Sequence, residues 1–105
     1  MHIKDLPGDI DPEIRPLVEA LVERGVNTEY SCQGGEGHEF SDPSIVFEVK
    51  TMKDALTVRQ LMTDLGHEKF DVEVTVSGKN HDQLFGWVRL HEKPKSTYPA
   101  FHSSA

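Results

Sequence analysis

The sequence predicts an α+β two-layer sandwich in the order helix, strand, strand, helix, strand, strand. Two segments repeat apolar residues at three- and four-residue spacing, as helices do. Four others are of strand length and either alternate or run apolar, and most glycines fall between the segments. At 105 residues the chain is one domain by size, with room for a single core.

The first stripe is Ile10, Ile14, Leu17, Val18, Leu21 and Val22, with Glu13, Glu19, Glu23 and Arg24 between them and Gly25 closing it. Asp11 and Pro12 read as an N-cap and first helical position. Pro16 has no amide hydrogen, so either the first turn is irregular or the regular helix begins near Arg15. Val26 to Cys32 is the first strand, and unbroken alternation sets Cys32 in register with Val26, Thr28 and Tyr30. Ser44 to Lys50, SIVFEVK, is mostly apolar at its centre and predicts an interior strand. Thr51 and Asp54 have capping-box spacing ahead of Ala55, Val58, Met62 and Leu65, a second stripe that ends at Gly66. Phe70 to Val76 alternates Val72, Val74 and Val76 with Asp71, Glu73 and Thr75, the pattern of an edge strand. Leu84 to Leu90 sets Leu84, Gly86, Val88 and Leu90 on one face and Phe85, Trp87 and Arg89 on the other, as in a central strand whose second face is also used.

Ordering the strands 70–76, 84–90, 44–50, 26–32 makes all neighbours antiparallel and lays both helices on one face, a circularly permuted ferredoxin-like sandwich. Residues 1–91 form the domain and 92–105 a tail, whose Tyr98 and Phe101 are suited to docking on the domain or on a neighbouring chain.

The net charge is -7 and lies entirely in the first half. Residues 1–50 hold eleven acids against Lys4, Arg15, Arg24 and Lys50, whereas residues 51–105 hold seven acids and seven bases. Nucleic-acid binding requires clustered cations, so this distribution argues against it and accommodates a cationic or neutral partner. No apolar run is long enough for a membrane span, and Lys4, Asp5 and Asp9 interrupt any signal-like segment. One cysteine forms no internal disulfide; a cytoplasmic location is expected.

The strand directions gather Cys32, His38, His67, His91 and the start of the first helix at one end, with His81 in the hairpin at the other. The first of these ends carries EYSCQGGEGHEF, Glu29 to Phe40. Cys32 is either a buried strand-end residue, a pocket-lining thiol, or a thiolate acting as nucleophile or ligand, aided by His38 or by the nearby helix start. Cys-x5-His is no zinc spacing and there is no CxxC pair, so neither metal nor cofactor is expected, and a zinc site would have to be assembled from separate segments. Gly34, Gly35 and Gly37 permit close approach of a ligand, yet both nucleotide fingerprints are missing. Ser31, Cys32, Gln33, Gly34, Gly35, His38 and His91 are the candidate binding residues. Phe85, Trp87 and Arg89 are the candidate interface, covered by a homodimer or by the tail.

Thr28, Ser31, Cys32 and Gly34 match a T-x-x-S-C-x-G pattern that resembles the wybutosine-synthesis family of tRNA-modifying proteins. The Ser-Cys-Gln-Gly run is similar to small phage and bacterial proteins with a Ser-Cys-Gln/Glu-Gly turn. The resemblance covers about residues 14–50, and Gly35 stands where the first family has a basic residue. It implies that Ser31, Cys32 and Gly34 belong to a ligand-binding turn. The expected function is a binding module for a small molecule or protein partner. The alternatives are a small enzyme using Cys32 with His38, or an adaptor acting through Phe85 and Trp87.

Overall fold

The structure, a computed structural model, describes residues 2–76 and 84–101. It is an α+β fold of two helices and a four-stranded antiparallel sheet. The elements are α1 (Arg15–Glu23), β1 (Thr28–Cys32), β2 (Ser44–Val49), α2 (Met52–Asp64), β3 (Phe70–Val76) and β4 (Leu84–Leu90), preceded by a 3-10 turn at Ile3–Asp5. The sheet order is β1-β2-β4-β3. His81 and the SGKNHD hairpin segment lie outside the described residues.

Pro16 sits in the first turn of α1, and regular helix begins at Arg15. Ahead of it, the Asp11 carbonyl accepts the amides of Ile14 and Arg15. Thr51 and Asp54 form a reciprocal capping box at the start of α2. Leu17, Val18 and Leu21 of α1 share one core with Val58 and Met62 of α2 and with Ile45, Phe47, Val88 and Leu90 of the sheet. Phe47 pairs with Gly86, and any Cβ at Gly86 would occupy the space of the Phe47 ring. Glycine in this central strand gives the core its largest buried side chain room.

One feature of β1 departs from simple alternation. Thr28 pairs with Phe47, but Tyr30 pairs with Val46 and Cys32 with Ser44, because a bulge lies between Thr28 and Tyr30. Opposed residues share a face, so Thr28 stays with the core while Tyr30 and Cys32 turn to the side of Trp87 and Arg89. The expected common register of Thr28, Tyr30 and Cys32 is therefore wrong: the extra residue, Glu29, reverses it.

The segment after β4 docks on the helices. Tyr98 Oη lies 2.8 Å from His67 Nε2, Arg24 donates to the Pro99 carbonyl at 3.0 Å, and the Arg24 guanidinium stands 5.5 Å from the Phe101 ring centre. No helix among the described residues is long and apolar enough to cross a membrane.

Candidate ligand-binding cleft

Three segments meet where β1 ends. The first is the N-terminal arm, residues 2–11, whose Ile3, Leu6 and Ile10 pack on the core. Arg15 fixes the arm by donating to the Pro7 carbonyl at 3.0 Å. The second is β1, an edge strand. The third is the loop from Gln33 to Pro43, which is pinched at its base. There Gly34 adopts φ +80°, and an added Cβ would stand 2.5 Å from the Asp42 carbonyl carbon and 2.6 Å from Pro43 N. Glycine alone fits both the backbone angle and the crossing.

Beyond the pinch the loop closes on itself. Gly35 N–H donates to the Ser41 carbonyl at 2.9 Å, and His38 N–H donates to the Gly35 carbonyl at 3.2 Å. Its two sides then serve different surfaces. Phe40 packs on the sheet face away from the core, 5.1 Å from the Trp87 ring centre and 6.0 Å from that of Tyr30. His38 turns toward the start of α1.

There His38, Cys32 and Asp11 converge, with one donor atom from each lying within 4.8 Å of the others. Gln33 ties the group together. Its backbone N–H donates to Asp11 Oδ2 at 3.0 Å, its Oε1 accepts Glu13 N–H at 3.2 Å, and its Nε2 lies 3.3 Å from His38 Nε2. With Oε1 committed to Glu13, the Gln33 amide group faces the imidazole as a donor, so His38 Nε2 accepts and Nδ1 carries the proton. Nδ1 is 3.5 Å from Asp11 Oδ2. The Cys32 residue is 2% exposed, yet it is not a member of the main apolar core.

The cluster lines a cleft of about 580 Å³ that runs along β1. Leu6, Pro7, Ile10 and Val18 supply its apolar lining, and Asp5, Asp9, Asp11, Glu29 and Glu39 supply carboxylates. Among the described residues, its lining contains no lysine or arginine. Tyr30 donates to Glu39 Oε2 at 2.6 Å. This bond, which ionisation would turn into a clash of two anions, pushes the Tyr30 pKa up to about 12.

Of the expected binding residues, Ser31, Cys32 and His38 line the cleft. Gln33 stands behind it as the tie between Asp11 and His38, while Gly34 and Gly35 shape the loop. His91 is directed elsewhere, 2.7 Å from Asp71 and 3.6 Å from Asp42. Phe85, Trp87 and Arg89 share the other sheet face, where Arg89 lies 4.6 Å from the Trp87 ring centre and Phe40 already covers part of the indole. The tail reaches the helices through His67 and Arg24. Sequence reasoning missed Asp11 as a site residue because its cap role before Pro12 accounted for it. The topology that brought the start of the first helix beside Cys32 was the available signal. No family model, curated protein or solved structure matches the chain.

Proposed function

We propose that the protein is a binding module whose cleft takes a small organic cation, an ammonium or guanidinium group on an apolar stem. The lining carries this reading: among the described residues, five carboxylates without a lysine or arginine, beside an apolar wall. Such a surface favours positive charge, and the walls lower the local dielectric so that each carboxylate acts more strongly than in open water. The Tyr30 ring, 43% exposed at the rim, adds an aromatic face for a cation. The architecture is read as a ferredoxin-like sandwich whose first strand has moved to the end of the chain, which places the cleft at an edge strand.

Calorimetric titration with agmatine, a guanidinium and an ammonium on a short methylene stem, tests this. Saturable one-to-one binding that weakens with salt is expected, with at least about tenfold loss in the Asp9→Asn, Glu39→Gln double variant. Its counterpart 4-guanidinobutanoate, which carries a carboxylate in place of the ammonium, should bind more weakly. Equal binding of the two compounds, or none at millimolar concentration, would refute the small-cation reading. Binding of a lysine-rich peptide without agmatine would do the same and favour a protein partner.

A further inference from the structure

We infer that Asp11, Cys32 and His38 form a site for one divalent transition-metal ion of the zinc class. The three donors come from three segments, the N-terminal arm ahead of α1, the end of β1 and the glycine loop, and converge within 4.8 Å. Spacing along the chain conceals such a site. The expectation of no metal rested on that spacing, whereas the fold supplies the missing third donor from Asp11.

Donor chemistry sets the metal class. A thiolate and an imidazole select zinc-like ions over magnesium and calcium, which prefer all-oxygen shells. A thiolate, a carboxylate and a neutral imidazole together balance a divalent charge. Metal–ligand bonds of about 2.0–2.3 Å place tetrahedral donors roughly 3.5 Å apart; His38 Nδ1 and Asp11 Oδ2 already stand at 3.5 Å, and no pair has to draw in by more than about an ångström. The His38 side chain is 30% exposed and is carried on the loop in which Gly35 and Gly37 adopt positive φ. Three protein donors leave a fourth position, and the cleft that all three residues line offers access to it.

Gln33 makes the proposal specific. As placed, its amide donates to His38 Nε2, which leaves the proton on Nδ1, the nitrogen facing Asp11. Metal on Nδ1 requires the proton on Nε2 instead, so the Gln33 carboxamide must turn to offer its oxygen. A carboxylate at this position accepts from both Nε2–H and Glu13 N–H without turning, and raises the basicity of the imidazole. Gln33→Glu therefore strengthens the site.

The test is titration of the untagged protein with cobalt(II), followed by absorption and competed with zinc(II). The expected result is one ion per chain, with a thiolate-to-cobalt charge-transfer band and the visible bands of a tetrahedral ion. Cys32→Ser abolishes the charge-transfer band, His38→Ala weakens binding at least about tenfold, and Gln33→Glu tightens it by a similar factor. His38 is partly exposed, so its variant keeps the test decisive even if the buried Cys32 variant fails to fold. The proposal is overturned if saturable binding is missing at micromolar protein, if cobalt binds without the thiolate band, or if His38→Ala binds as well as the unaltered chain. It does not rest on the charge-based reading of the cleft: agmatine binding without cobalt binding, or the reverse, identifies which has failed.

Discussion

His67 and His38 each sit beside a carboxylate and a second polar group, but the two surroundings differ in what they leave available. His67 is 2% exposed, with Glu92 Oε1 at 2.8 Å from one ring nitrogen and Tyr98 Oη at 2.8 Å from the other. Glu92 also accepts Glu68 N–H, and Tyr98 Oη accepts Lys95 N–H. The cluster is closed and joins the segment after β4 to the end of α2. His38 is held more loosely, 3.5 Å from Asp11 and 3.3 Å from the Gln33 amide, at the wall of a cleft. A buried histidine held closely at both nitrogens stabilises the fold; one with longer contacts at the wall of a cleft can exchange them for a ligand.

Substituting each histidine tests that distinction most directly. His67→Ala removes the partner of two groups and opens a cavity, and should lower the unfolding free energy by about 2–4 kcal/mol. His38→Ala, at the wall of an open cleft, should change it by no more than about 0.5 kcal/mol. Urea unfolding of the two variants reads both values. Similar losses for both would show that His38 is as structural as His67, and the comparison would collapse.

The same contrast explains what the sequence made legible. Both helices, the four antiparallel strands and the capping box at Thr51 and Asp54 follow from periodicity and local chemistry, which act over a few residues. Cys32 and His38 were visible as a pair because only five residues separate their positions. Three features were not legible. The bulge at Glu29 depends on the pairing with β2, and nothing in the TEYSC run announces it. Asp11 meets Cys32 only after α1 has packed beside β1, and its reading as the N-cap, a position that Ile14 takes in the structure, concealed its place in the site. Phe40 reads as a loop aromatic, yet its place on Trp87 is fixed by the crossing of Gly34 with Asp42 and Pro43. Each depends on contacts between segments distant in the chain.

An intermediate effect is expected from acid. The hydrogen bond with His67, aided by the Glu68 amide, holds the Glu92 carboxyl below its ordinary value. A carboxyl with a depressed folded-state pKa contributes stability above its unfolded value, about 4.3, and that contribution is lost as pH falls through the lower folded value. Unfolding midpoints should therefore drop through this acid window in the unaltered chain, and the drop should be shallower in Glu92→Gln. The midpoint of His38→Ala should follow the unaltered chain. A Glu92→Gln variant with the full acid dependence would assign the loss to other carboxylates and leave the His67 cluster without its proposed role.

The smallest effect on stability, and the most local readout, belongs to the rim of the cleft. Tyr30 is exposed, and its pKa of about 12 follows chiefly from donating to Glu39 at 2.6 Å. Because the folded value lies above the ordinary value of about 10, the benefit of this bond is complete below about pH 10 and disappears as pH rises through about 12. The chain has two tyrosines, so Tyr98→Phe leaves Tyr30 as the sole reporter of tyrosinate absorbance. At about pH 11, between those two values, Tyr30 should remain largely protonated, whereas adding Glu39→Gln should leave it largely ionised. If both proteins ionise alike near pH 10, the Tyr30–Glu39 bond does not persist in solution. The rim would then be open on that side, and Glu39 would face the cleft as a free carboxylate. That outcome would increase the charge available to a cation while removing the hydrogen bond that orients the aromatic ring.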